Sequence, residues 1–133
     1  MSLRGARKAL NVAQRHLERV QVAWWEPADA VQAVTFAFYA YENAVVALAE
    51  LHGRRWTKNH YEKAELARQL FQEGLISVDV SDRLREFNEL RKDVAYDEPG
   101  PELAQLDLES VAIDLENFVE EVSRMVEAAE TKE

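Results

Sequence analysis

Residues 28–51, ADAVQAVTFAFYAYENAVVALAEL, come closer to a membrane span than any other tract in the chain, and their reading decides the fold. Asp29, Gln32, Glu42 and Asn43 interrupt the tract, and tyrosines sit in its middle. A bilayer span needs about 20 almost uninterrupted apolar residues. A helix buried on most sides by other helices accounts for this pattern better. The expectation is therefore a soluble protein with no membrane partner, built around this central helix.

The flanking tracts supply the covering helices. Leu3, Ala6, Leu10, Ala13, Leu17, Val20 and Trp24 recur at steps of three and four, which puts them on one stripe of a first helix. Glu26-Pro27 breaks the chain, and Pro27 is placed to open the second helix, which runs to about His52 with Gly53 as its left-handed terminator. Asn59 caps a third helix, with Glu62 three residues on in a capping-box arrangement, and Gly74 ends it. Ser81 and Asp82 start a fourth helix. Asp97-Glu98-Pro99-Gly100-Pro101 is the clearest break in the chain. Beyond it, Leu103, Asp107, Val111, Leu115, Phe118, Val122, Met125 and Ala129 predict one long fifth helix. Strand signals are nearly absent. The chain reads as one all-α domain over 1–133, a five-helix up-and-down bundle.

With 133 residues the chain can bury a core without covalent staples. It has no cysteine, which excludes disulfides, zinc–cysteine sites and thiol chemistry and suits a cytoplasmic protein. The residues after Met1 run into amphipathic helix, with no apolar signal segment. The net charge of −9 argues against general duplex-DNA binding, because phosphate neutralisation dominates such affinity. The charge is unevenly spread. Residues 1–25 hold five Lys or Arg against one Glu, a balance of +4, while residues 97–133 hold twelve Asp or Glu against two Lys or Arg, a balance of −10. The first and last helices are thus able to attract each other along a shared flank.

No glycine-rich phosphate loop or nucleophile elbow occurs. His16, His52 and His60 lack the four-residue spacing that lets two imidazoles hold one metal on a helix, so neither a metal nor a cofactor is expected. Chemistry is instead read from misplaced charges. Val80, Leu84, Phe87, Arg91 and Val94 step by four, three, four and three along one stripe, and Arg91 carries a permanent charge where a leucine would be expected. A guanidinium there needs a carboxylate or a wet cleft. Glu42, embedded in the apolar second helix, is the expected partner, either as an internal ion pair or as the wall of a ligand cleft. A second candidate is His52–Tyr61, whose Arg54, Arg55, Trp56 and Lys58 combine cations for phosphate with a ring on which an unpaired base could stack. An ordinary solvated connection is the competing account.

Five helices, an aromatic second helix carrying Tyr39-Ala40-Tyr41-Glu42-Asn43, and a fourth helix ending Leu90-Arg91-Lys92-Asp93-Val94-Ala95-Tyr96 resemble the HEPN family of prokaryotic helical domains. In its nuclease members an arginine is followed four to six residues later by a histidine, and an acidic residue on the second helix orients the pair. Two copies then meet in one cleft and cut RNA without metal. The resemblance implies that Arg91 is the arginine and Glu42 the acidic residue. The histidine is missing, and Tyr96 stands near its place. A phenol, with an unperturbed pKa of about 10, is a poor substitute for imidazole as a proton carrier.

The resemblance therefore implies a non-catalytic homodimeric module that binds RNA, a nucleotide or a protein partner. It further implies a toxin–antitoxin or defence setting, with a nucleotidyltransferase-type protein as a possible partner. Arg91, Glu42 and Tyr96 would form the ligand site. The alternatives are a divergent metal-independent ribonuclease toxin, using Arg91 with Tyr96 or a distant histidine, and a purely structural interaction protein. A second ground for a dimer is the apolar run Leu75, Ile76, Val78 and Val80, richer than a connecting loop needs.

Overall fold

The structure, a computed structural model, describes residues 1–25, 29–95 and 101–132. Among these residues it is all-helical: α1 (Leu3–Trp25), α2 (Ala30–Leu51), α3 (His60–Gln72), α4 (Ser81–Ala95), α5 (Pro101–Ala104) and α6 (Leu108–Thr131). None of these helices is long and apolar enough to cross a membrane.

Local chemistry sets most of the boundaries. Asp29 caps α2 by accepting a hydrogen bond from the Gln32 backbone N–H, and Asn59 caps α3 by accepting from that of Glu62. The expected opener of α2, Pro27, lies outside the described residues. Gly53 (φ 65°) and Gly74 (φ 75°) reverse the chain in the left-handed region. The backbone N–H groups that follow them, on Arg54 and Leu75, then reach back to the Ala49 and Leu70 carbonyls.

The expected single fifth helix is two helices. Leu103 belongs to the short α5, and Asp107 accepts from the Ser110 N–H as the cap of α6. The seven-residue beat ran through Asp107, but an aspartate there satisfies an orphan amide at a helix start better than it fills a core position.

α2 touches all five other helices, which explains why it is apolar on nearly every face: 14 of its 22 residues are buried. Ala33, Ala37, Ala40, Ala44 and Ala47 form one stripe, and all are fully buried. The α1–α2 contact is the most extensive in the fold, as a seam of small side chains permits. On the α1 side, Ala6, Leu10, Ala13, Leu17 and Val20 are buried, with Leu3 and Trp24 packed at the margins, as their spacing predicts. Where α2, α4 and α6 converge, the Tyr41 ring lies 5.7 Å from Phe118 and 6.2 Å from Phe87, centroid to centroid. Each such fully buried side chain contributes roughly 1.5–3 kcal/mol of transfer free energy. Burial also pushes the Tyr41 phenol well above its usual range, so it remains protonated.

Two further expectations meet the structure here. α1 and α6 do lie side by side, and Arg7 grips Glu130 with Nε (2.9 Å) and Nη2 (2.5 Å). This pair holds the Glu130 carboxyl below its ordinary range and raises the Arg7 guanidinium. The Leu75–Val80 run mostly folds back onto its own bundle. Ile76 and Val80 are buried and Leu75 packs on the core, leaving only Val78 of the four exposed. That run therefore gives no independent ground for a dimer.

Candidate functional site

Glu42 and Arg91 do not pair. Glu42, only 4% exposed, turns to α3, where its Oε2 lies 2.5 Å from Nδ1 of His60 and its Oε1 lies 3.6 Å from Nζ of Lys63. The helix register explains this choice. With Asn59 fixing where α3 begins, His60, Lys63, Ala67 and Leu70 step by three, four and three along the stripe that faces α2, so the carboxylate meets an imidazole and an ammonium one turn apart. His60 is half-buried, and Nδ1–H donating to the carboxylate leaves Nε2 as its available nitrogen.

Arg91 lies instead across aromatic faces. Its Cζ sits 5.0 Å from the Phe38 ring centroid and 6.0 Å from that of Tyr39, at cation–π distance. Nη2 donates to Oδ1 of Asn88 at 2.8 Å, and Asn88 itself is buried. The Arg91 Nε is buried and has no hydrogen-bond partner, and no carboxylate lies within ion-pair distance among the described residues. The arginine thus shares its stripe with Ser81, Leu84 and Asn88, two of them polar, at steps of three, four and three.

The two halves of the site share one ring. Phe38 takes Arg91 on its π system, and the His60 ring meets it edge-on at 5.1 Å. Next to it, Tyr39 also contacts the His16 ring at 5.6 Å, and His16 stacks on Phe36 at 5.8 Å. Nδ1 of His16 is a second buried nitrogen with no partner. Burial first, and then Arg19 and Arg15, hold the His16 imidazole below its ordinary value, which favours the neutral ring. At the outer margin Lys92 donates to the Tyr61 hydroxyl at 2.6 Å and lies 3.5 Å from Glu89. The Tyr61 bond is the main reason its ammonium is held above the ordinary lysine value.

The chemistry available follows from this inventory. One buried carboxylate faces Lys63 and His60, while Arg91 remains uncompensated, so the cluster favours an anion over a cation. The carboxylate–imidazole contact is the arrangement that orients a proton carrier. Among the described residues no group of three His, Asp or Glu side chains is placed to hold a metal ion.

The other predicted residues divide. Tyr96 lies outside the described residues. In the basic connection, Arg54 is committed to Glu73 (2.6 Å) and Gln69 (3.1 Å), and Trp56 donates from Nε1 to Glu50 at 3.1 Å while Lys63 lies over its ring at 5.8 Å. Arg55 and Lys58 are exposed and make no ion pair among the described residues. Arg55 lines a groove of about 560 Å³ together with Trp56, Lys63 and Gln69, so the connection adjoins the Glu42 cluster through Lys63, whereas Lys58 is not part of that lining. Sequence reasoning missed His60, Lys63 and Asn88. The signal for His60 and Lys63 was present in the phase of α3 relative to its Asn59 cap, and that for Asn88 in the stripe it shares with Ser81, Leu84 and Arg91.

No family model, no curated protein and no solved structure matches the chain.

Proposed function

We propose that the Arg91–Phe38–His60–Glu42 cluster is an anion-recognition site and that the protein is a helical module of HEPN-like type binding RNA or a nucleotide through phosphate. The observation that carries this reading is the state of Arg91. Its guanidinium carbon lies 5.0 Å from the Phe38 ring centre and 6.0 Å from that of Tyr39, and the group has one neutral partner in Asn88 and meets no carboxylate among the described residues. A planar donor fork left uncompensated in this way suits a phosphate oxygen pair. On the Glu42 side of the cluster Lys63 supplies a second cation. The HEPN resemblance further suggests a toxin–antitoxin or defence setting with a nucleotidyltransferase-type partner.

A second reading, metal-independent ribonuclease action, is favoured by one specific distance, the 2.5 Å between Glu42 Oε2 and His60 Nδ1. In that reading His60 takes the role of the histidine missing after Arg91. Its Nε2 accepts the 2′-hydroxyl proton or protonates the leaving oxygen, while Arg91 stabilises the phosphorane charge.

One experiment separates the two. A fluorescent single-stranded RNA is titrated with the protein in chelator, beside Arg91→Ala and His60→Gln variants whose helicity is verified. Binding without cleavage, weakened about tenfold or more by Arg91→Ala and by added salt, is the expected result. Cleavage abolished by either variant would establish the enzyme instead. Absence of both binding and cleavage would reject both readings.

A further inference from the structure

α1 directs only one of its five cations, Arg7, at α6. Arg4, Lys8, Arg15 and Arg19 are exposed and form no ion pair among the described residues. On α6, Glu109, Glu120 and Glu127 are likewise exposed and unpaired by any cation. Arg19 lies over the Phe36 ring of α2 at 5.0 Å, and the remaining exposed cations of α1 and carboxylates of α6 thus stand on two neighbouring helices with Arg7–Glu130 as the one ion pair between them among the described residues.

Their spacing matches. Along α1, Lys8, Arg15 and Val22 follow at intervals of seven residues, two cations and then an apolar side chain 69% exposed. Along α6, Glu127, Glu120 and Ile113 also follow at sevens, two carboxylates and then an apolar side chain 49% exposed. The Arg7–Glu130 pair shows that the start of α1 lies beside the end of α6, so the helices run antiparallel. A two-fold axis parallel to both helices keeps every residue at its own height while setting α1 of one copy over α6 of the other. With Arg7 beside Glu130, and since the two helices rise equally per residue, this sets Lys8, Arg15 and Val22 each within two residues, about 3 Å along the axis, of Glu127, Glu120 and Ile113, well inside the reach of these side chains.

From this correspondence we infer that the α1–α6 outer face is the interface of a homodimer, in which each basic α1 stripe lies on the acidic α6 stripe of a second copy. The face is large enough. Helices of about 34 Å, side by side with axes about 10 Å apart, offer on the order of 700 Å² per partner, close to a standard interface. The pairing is self-complementary, so it closes at two copies. It also differs from the shared-cleft dimer that the HEPN resemblance implies, because Glu42, His60 and Arg91 are not on this face. The inference does not rest on the ligand-binding reading above.

Sedimentation velocity across a concentration series at low and high salt tests it, with charge-swapped variants on the exposed stripes. Arg15→Glu alone and Glu120→Arg alone should each weaken association at least about tenfold, since each places like charges opposite one another at both two-fold-related contacts. The Arg15→Glu/Glu120→Arg double variant should recover dimerisation. The Lys8→Glu and Glu127→Lys pair provides an independent repeat if either first variant misfolds by circular dichroism. A wild type that stays monomeric at every concentration in low salt would overturn the proposal, as would a dimer indifferent to the single swaps or a double variant that fails to recover. A monomer that retains single-stranded RNA through Arg15 would also overturn it and make α1 a nucleic-acid surface.

Discussion

The two opposite sides of α2 make a contrast within a single helix. One side is the stripe Ala33, Ala37, Ala40, Ala44 and Ala47, fully buried, with no polar atom to satisfy. The other carries Phe38 and Glu42, where an aromatic ring supports a guanidinium and a buried carboxylate takes an imidazole and an ammonium. The alanine side is fixed by shape alone, since close approach of helices leaves no room for alternatives. The Glu42 side is fixed by pairing, and paired groups can exchange a protein partner for a ligand. The difference teaches where this fold can tolerate function. The closed side needs every side chain to stay as it is, and the polar side holds donors that are not all used.

The contrast can be broken most forcefully at the alanine seam. Ala44→Leu adds three carbons where nothing can retreat, and it should destabilise the protein by about 1–3 kcal/mol, read as a lower urea midpoint. A neutral result would mean that the seam is looser than its full burial indicates.

The second test is on the opposite side. Replacing the pair together, Glu42→Leu with Lys63→Met, exchanges a buried ion pair for apolar side chains of similar size and should stay within about 1.5 kcal/mol of the parent in urea, because the lost ion pair is offset by the removed desolvation cost. It should nonetheless change anion binding, since His60 loses its orienting partner. A loss of stability as large as that at the seam would show that both sides serve the same structural purpose.

The third and smallest effect sharpens the contrast by pH. The folded-state value of His16 is depressed, chiefly by burial, below the ordinary 6.5. The unfolded chain therefore binds a proton that the folded protein refuses. Stability should fall as pH drops through about 6.5 and stop falling on this account once the folded-state value is passed. His52, also depressed mainly by burial, contributes in the same direction. Urea midpoints measured on either side of that window, with His16→Gln flattening part of the slope, would check it. An unchanged slope in the variant would remove His16 as the cause.

The fold was largely legible in the sequence because its signals are local. The cap at Asn59, the glycines at 53 and 74 and the three-four beat of α1 each act within one turn, and the structure shows all of them where their chemistry requires. The beat misled only at Asp107, where a cap imitated a core position. The site was half legible. Periodicity singled out Glu42 and Arg91 as charges on otherwise apolar faces, yet it could not say which of two neighbouring helices each would meet. α3 intervened, with His60 and Lys63 closer to Glu42 than the arginine is, and Phe38 took the guanidinium. The aromatic-interleaved basic connection misled for a related reason. Composition counts cations without seeing that Arg54 is already held by Glu73 and Gln69.

The contact between Arg7 and Glu130 spans 123 positions, whereas α1 and α2 are separated only by the short connection between Trp25 and Ala30. Bringing two segments together costs more entropy the longer the chain between them. The α1–α2 hairpin can therefore form early, from contacts close in sequence, while α6 must return across the whole length of the molecule to cover what the hairpin leaves open. On a chain growing from its N-terminus, the apolar surface destined for α6 stays uncovered until α6 itself has been made. The Arg7–Glu130 pair, which ties α1 to α6, thus forms only once α6 has docked on the hairpin.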